Sequence, residues 1–375
     1  MNKCIKKIFV IVFCFILGFF MLVTLSNNEI VSEVERRKLT TFPKFSLSSI
    51  VSKKYYDNLT SAFSDQLAFR KYLVKGYFLF NFQRYFGDAV IGHDKQLYSP
   101  SQSVPSSTYY KKLKNVINLV NEESEKIDAK FIFLSIPRKD AYMINELPKN
   151  YNSSLDIYNK QVKVVKENLS NDIIFIDALD VFKSNNIYNC YYSNDHHITP
   201  RCAYLLYNEI NKYTGTFSYN LDDQFEVKKT IVNGGYSRQL GQTIKSSPED
   251  LYLVPKKSIN YIRYENDKLS KKKVFGKGTS YEDAYMEGDM AYTVIDTDNV
   301  FGKSIMFVGS SYTNILEALS VPSYRKIVSV DYRHNKTGKS INDYVMENNI
   351  DYVVFVPGQS TNAYSLKQIE LHLGQ

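Results

Sequence analysis

A regular alternation of short, almost wholly apolar runs with amphipathic stretches of helical period constrains this chain more than any other feature. Residues 107–126 carry Leu113, Val116, Ile117 and Val120, a spacing that lays one apolar stripe along a helix. The run that follows, 130–136, is short, apolar and closed by Pro137, as expected of a strand buried on both faces. The pair repeats with a helix over 155–169, a strand over 172–177, and a helix over 200–213 that has Pro200 in its first turn, where a missing N–H does no harm. It resumes with strands at 304–308, 326–330 and 352–356 and helices at 314–319 and 340–348. Strands separated by helices predict an α/β fold with a doubly wound parallel sheet, whose chemistry sits at the carboxyl ends of the strands.

Between the two halves the rhythm breaks. Residues 217–300 are polar, rich in Tyr, Lys and Gly, with short alternating stretches at 225–231 and 259–264. They read as a β-rich insertion that could form a lid or a wall of the site but by default is plain decoration. Upstream, 30–60 carries Glu35-Arg36-Arg37, Pro43 and several Ser and reads as an extended lead-in. Residues 55–86 mix aromatic and basic side chains, with Phe63, Leu67, Phe69, Leu73, Tyr77 and Phe80 on one broad helical side.

The amino terminus decides the compartment. Lys3, Lys6 and Lys7 precede a run in which no charge occurs before Glu29; as a helix it reaches about 31 Å, enough to cross a bilayer core. Lysines ahead of the span predict a cytoplasmic amino terminus, with residues 30–375 outside. A cleaved signal peptide is the alternative, but the run is long for one and no small-x-small site follows it. Cys14 lacks the small residues that a lipoprotein cleavage site requires before its Cys. With no second run of comparable length, a single-pass protein is expected. The organisation is then 1–29 as cytoplasmic tip and anchor, 30–106 as lead-in and helical segment, and 107–375 as the α/β domain with its insertion.

Hydrophobic residues at 44% and charged residues at 23% exclude a disordered chain, a collagen-like repeat and a polytopic membrane protein. The net charge of +8 is spread along the chain; it suits an anionic surface and gives no footprint for nucleic acid. The 31 Tyr and 23 Phe, with no Trp, fill a core, and surplus Tyr lines clefts for sugars and other polar ligands. Cys4 and Cys14 belong to the anchor region, which leaves Cys190 and Cys202 in the exported part. They either staple the loop between them or stay as two buried thiols.

Two segments at strand ends carry chemistry. Gly309-Ser310-Ser311-Tyr312 follows a strand and opens a helix, a placement that exposes a Ser beside backbone N–H groups, although Ser is also an ordinary helix cap. Ser193-Asn194-Asp195-His196-His197-Ile198-Thr199-Pro200 sets two of five His beside an Asp. A carboxylate there can orient an imidazole that deprotonates a hydroxyl. A metal site built from Asp195, His196 and His197 ranks below this, because adjacent His residues seldom face one ion. Asp195 as a helix cap with exposed His is the plain structural alternative.

Together these segments, the anchor and Phe63-Ser-Asp-Gln-Leu-Ala-Phe-Arg70 resemble the DHHW family, an SGNH-hydrolase-like branch similar to the alginate O-acetyltransferases AlgX and AlgJ. Glu35-Arg-Arg-Lys-Leu39 with Pro43 resembles that family's Glu-Asn-Arg-x-Leu lead-in, and Asp65 with Phe69-Arg70 its Asp-x-x-x-Phe-Arg. Ile136-Pro-Arg-Lys139 resembles its Pro-x-Lys strand end and Asp331-Tyr-Arg333 its Asp-x-Arg. The likeness runs over nearly all of the exported chain. It implies a triad of Asp195, His197 and Ser311, permuted relative to ordinary SGNH esterases, in which Ser comes first. It departs at Ile198, where a Trp is usual, at Asn194, where a Thr is common, and in lacking a clear Gly-x-Asn-Asp block. The Ser311 N–H would then hold an oxyanion, with Tyr312, Arg333 and Lys139 as further oxyanion or substrate candidates, and no cofactor or metal.

The resemblance implies a membrane-anchored extracytoplasmic O-acetyltransferase that acetylates a cell-surface polysaccharide through an acyl-serine. A multispanning membrane-bound O-acyltransferase would be the donor partner. An acetylesterase would use the same triad with water, and a non-catalytic polysaccharide-binding or assembly protein would keep the fold without needing Ser311.

Overall fold

The computed structural model describes residues 3–32, 37–45, 52–81, 89–240, 244, 246–335, 337–358, 366–367 and 369–370. They form two compact units, one of residues 1–88 with 237–244 and the other of 89–236 with 245–375.

In the first unit, helix α1 (Lys3–Ser26) is followed by α2 (Lys53–Asp65) and α3 (Arg70–Asn81). Over Ile5–Ser26, α1 is long and apolar enough to cross a membrane. The single helical side expected over 55–86 is broken between α2 and α3, where Phe69 takes φ 58°. Residues 82–86 and the side chain of Phe80 lie outside the described residues, as do Glu35 and Arg36 of the lead-in. The rest of the lead-in joins the break through one polar hub. The Asp65 carboxylate accepts from both terminal nitrogens of Arg37 and from the Thr40 N–H at 2.8 Å. The Arg37 hydrogen bond, working against burial, holds the Asp65 pKa down to about 2. Gln66 donates to the carbonyls of Glu29 and Thr40 and accepts from the Glu29 N–H.

The second unit is built on an eight-stranded sheet. Its strands are β1 (Lys130–Ser135), β2 (Ile174–Asp177), β3 (Tyr261–Glu265), β4 (Lys268–Leu269), β5 (Tyr292–Thr297), β6 (Ser304–Gly309), β7 (Lys326–Asp331) and β8 (Tyr352–Phe355), in the spatial order β4-β3-β5-β7-β6-β8-β1-β2. The run β7-β6-β8-β1-β2 is parallel throughout. Successive side chains leave a strand on opposite faces, and both faces here are apolar. Ile132, Leu134, Ile305, Phe307 and Val354 pack against α7 (Pro200–Thr214) and α8 (Asn314–Ser320). Phe131, Phe133, Met306, Val308 and Phe355 pack against α4 (Ser107–Lys126), α5 (Leu155–Asn168) and α9 (Ile341–Asn348). A further helix, α6 (Ala178–Ser184), directly follows β2.

The segment 217–300 is β-rich, but half of it extends the main sheet. β5 pairs antiparallel with β7, and β3 with β5. Unpaired N–H and C=O groups on the outer edge of β7 would otherwise face solvent, and β5 satisfies them. The remainder is an antiparallel hairpin of Phe225–Thr230 with Glu249–Pro255. Residues 89–106 pack with this unit: Leu97 donates its N–H to the Ser193 carbonyl at 2.6 Å and the Tyr98 hydroxyl donates to the Met143 carbonyl.

Phe355 is wholly buried on β8, with its ring 5.5 Å from that of Phe133. Phe355→Ala should lower the unfolding free energy by about 3–5 kcal/mol, read by denaturant titration. A loss below about 1 kcal/mol would mean that this face is not a packed core.

Candidate active site

Strand β6 ends at Gly309, where a Cβ would come within 2.6 Å of the Thr313 methyl group, so the tight turn admits only glycine. Ser311–Thr313 then form a single 3₁₀ turn that leads into α8. The first N–H groups of such a turn have no partner within it, and Ser311 stands there at the carboxyl end of a central strand.

The Asp-x-His segment occupies the connection between α6 and α7. Tyr191 and Ile198 bridge across it, Thr199 donates its N–H to the Cys190 carbonyl at 2.8 Å, and a Cys190–Cys202 disulfide with Cα atoms 5.3 Å apart closes its base. Ile198, standing where a Trp was expected, is fully buried in the core below.

The two segments meet. His197 Nδ1 lies 2.7 Å from Asp195 Oδ1, and His197 Nε2 lies 2.9 Å from Ser311 Oγ. Asp195 and His197 are essentially without solvent exposure and Ser311 is buried. Burial by itself would raise the Asp195 pKa, but the adjoining His196 and His197 rings, the His197 hydrogen bond and the Gly235 N–H together hold it well below the usual carboxylate range. An ionised carboxylate only accepts, so the His197 proton sits on Nδ1. Nε2 is then a lone pair facing the Ser311 hydroxyl, the arrangement of a general base and its nucleophile.

Several residues that hold this geometry were not singled out in the sequence, and they come from 217–300. Tyr281 stacks on the His197 ring at 3.8 Å with the planes 2° apart, while its hydroxyl accepts the Ile315 N–H of α8. The Gly235 N–H donates to Asp195 Oδ2. Glu249 accepts from the Ser193 N–H at 2.8 Å and from its hydroxyl at 2.7 Å. Gly234 passes so close to Asn194 that a Cβ would lie 2.2 Å from its carbonyl oxygen. The segment is a wall of the site rather than decoration. Only its richness in Tyr and Gly hinted at this, since its contacts with the site span 34 residues, from Tyr281 to Ile315, up to 84, from His197 to Tyr281, beyond local pattern.

Other sequence candidates take different places. Lys139 is buried, and its ammonium donates to the carbonyls of Leu97, Tyr192 and Ser193 at 2.7–2.8 Å. With all three protons engaged it braces the Asp-x-His loop from beneath and has none for an oxyanion. Burial pushes its pKa down to about 7, against the pull of Glu249 and Asp195. Arg333 pairs with Asp331 at 2.5 Å and with Asp289 at 2.7 Å, so it serves as a counter-ion for two carboxylates. Tyr312 turns its hydroxyl to the His196 carbonyl at 3.0 Å and leans its ring on both His rings. His196 Nδ1 also lies 3.3 Å from Asp195 Oδ1, and its half-exposed ring lies 4.0 Å from that of His197. Ligand-type atoms cluster at Asp195, His196 and His197 and at Asp289, Asp331 and His334. The first set is committed to the His–Ser chain, and both carboxylates of the second pair with Arg333.

No family model matches the sequence, and no curated protein matches it. Solved structures do. A DHHW family protein from Eubacterium siraeum superposes with a TM-score of 0.59 at 19% identity, covering 76% of this chain and 98% of that one. The fold is the DHHW fold. Bacillus cereus PatB1 carrying a sulfonyl adduct superposes on it with a TM-score of 0.62 at 18% identity, over 76% of this chain and 99% of that one. PatB1 without the adduct gives 0.56 at 17% identity, over 72% and 95%.

Within this DHHW fold a second buried acid adjoins the Ser311 turn. Glu317 Oε1 accepts from the Thr313 hydroxyl at 2.6 Å and from the Ser329 hydroxyl at 2.7 Å. Burial raises its pKa from 4.5 to about 7, opposed by those two hydrogen bonds and by Arg263. The folded chain therefore holds a proton that the unfolded chain has released, and its contribution, roughly 3 kcal/mol, is complete below pH 4.5 and lost as pH rises through 7. Glu317→Gln should remove this slope and melt above the parent at pH 8. Parallel stability–pH curves for the two proteins would refute it.

Proposed function

We propose that this chain is an extracytoplasmic O-acetyltransferase that acetylates hydroxyls of a cell-surface polysaccharide through an acyl-serine. The observation that carries this is the unbroken Asp195–His197–Ser311 chain at 2.7 and 2.9 Å. It is an SGNH-like triad in the permuted order Asp, His, Ser, set in a fold shared with the DHHW family protein and PatB1. Sulfonyl reagents mark activated nucleophiles, so the sulfonyl adduct on PatB1 supports a reactive site in this fold.

In the first step His197 Nε2 takes the Ser311 proton as Oγ attacks the acyl carbonyl, and the departing donor group collects that proton. In the second, a sugar hydroxyl gives its proton to His197 and attacks the serine ester, and His197 returns that proton to the departing Ser311 Oγ. Asp195 stays ionised throughout and stabilises the imidazolium. The Ser311 N–H, at the start of its turn, would receive the oxyanion.

The anchor reading is supported by the length of α1 with lysines only at its start. The Cys190–Cys202 disulfide suits an oxidising compartment. Acetyl-CoA is not expected there, so the donor would be a multispanning membrane-bound O-acyltransferase.

The test uses a model acetyl ester with polymer and with water as competing acceptors. Wild type should acetylate the polymer, and Ser311→Ala should cut transfer by about a thousandfold or more with an unchanged melting temperature. Release of acetate without transfer would favour the esterase reading. Transfer by Ser311→Ala at the wild-type rate would remove the nucleophile assignment and favour a binding protein.

A further inference from the structure

The first unit carries a surface that its own fold leaves uncovered. The residues whose spacing marks one apolar side of α2 and α3 are exposed, not buried: Phe63, Leu67, Phe69, Leu73 and Tyr77, joined by Tyr72 at 71% exposure. Basic side chains run among them at Arg70, Lys71 and Lys75, and α3 carries no acidic residue. An amphipathic helix with aromatic and basic residues of this kind lies in a membrane interface.

Continuity with α1 fixes the depth of this surface. The Phe69 ring stacks edge-on against the Phe20 ring at 5.5 Å, and the Ala68 N–H donates to the Thr24 hydroxyl at 3.0 Å. Asn27 donates to the Gln66 carbonyl at 2.9 Å. Phe20 lies six residues before the end of the apolar span at Ser26, roughly 9 Å inside it along the helix axis. A side chain touching Phe20 is therefore at the level of the acyl chains. Tyr72 and Leu73 follow Phe69 by less than about one and a half turns of helix, so they stay near that level. The backbone supports the same placement: Phe69 adopts φ 58°, a conformation that bulky residues avoid unless something holds them there.

We propose that the α2–α3 turn and the start of α3 are a lipid-binding wedge, seated in the outer leaflet of the membrane that α1 spans. Phe69, Tyr72 and Leu73 enter the acyl–headgroup boundary, and Arg70, Lys71 and Lys75 meet anionic headgroups. This rests on the anchor reading of α1. It goes further by making the span and the wedge one folded body, so that removing α1 would strip Ala68 and Phe69 of their partners.

The chain contains no Trp, so single introduced tryptophans report their own depth. The full chain is reconstituted into vesicles of phosphatidylcholine with brominated acyl chains and a phosphatidylglycerol fraction. Four variants are compared: Leu73→Trp and Tyr72→Trp in the wedge, Phe9→Trp in α1, and Phe301→Trp, whose parent side chain is 99% exposed in the second unit. Leu73→Trp and Tyr72→Trp should emit to the blue and lose roughly half or more of their emission to bromine, as Phe9→Trp does, while Phe301→Trp is unaffected. A quenched Phe9→Trp beside unquenched Trp at 72 and 73 would overturn the wedge and leave the anchor standing. An unquenched Phe9→Trp would overturn the anchor and the wedge with it.

Discussion

A carboxylate with no contact with water organises the candidate site. Asp195 is fully buried, and a charge in that position is stable only where donors surround it. The protein supplies them from three directions: the His197 N–H and ring, the His196 ring, and the Gly235 N–H. The same requirement fixes the His197 tautomer and turns its free nitrogen to Ser311. The geometry on which the proposed chemistry rests is thus also the geometry that satisfies the buried charge, and disturbing one disturbs the other.

A second buried charge of opposite sign lies beneath the loop. Lys139 ties the carbonyls of Tyr192 and Ser193 to that of Leu97, and Glu249 takes the Ser193 donors. Polar contacts of this kind hold a loop where apolar packing cannot reach, at the cost of desolvating every member of the network. Each member is satisfied only in one arrangement, which specifies the loop rather than merely stabilising it. Tyr281 adds the apolar half, clamping the His197 ring by its face and α8 by its hydroxyl.

The first unit shows the same economy around Asp65 and Gln66. Their side chains join the lead-in, the end of α1 and the break after α2. That accounts physically for two sequence motifs, the lead-in and Asp-x-x-x-Phe-Arg, which lie apart in the chain and form one network in the fold. It also explains why an apolar helical side can remain exposed: the polar hub, not a hydrophobic core, holds these helices.

By itself the sequence determined the elements and their layering. Short continuous apolar runs and period-3.6 apolar patterns are local properties, and they placed β1, β2, β6, β7 and β8, the helices that cover both faces, and the long apolar α1. They also put Ser311 at a strand end and Asp195 and His197 just ahead of a helix, because Gly309 and Pro200 mark local boundaries. What tertiary structure alone decided is which distant groups close upon them. Lys139 and Arg333 carry charges that could have faced a substrate, and only their burial against carbonyls or carboxylates assigned them elsewhere. Tyr281, Gly235 and Glu249 lie in a segment with no regular period, so no local signal marked them; β5 joined that segment to the sheet because an open strand edge needs hydrogen-bond partners. Likewise, the apolar side of α2 and α3 was legible as a pattern, but the pattern records only that a side chain is apolar. Whether it meets core or lipid depends on where α1 holds it.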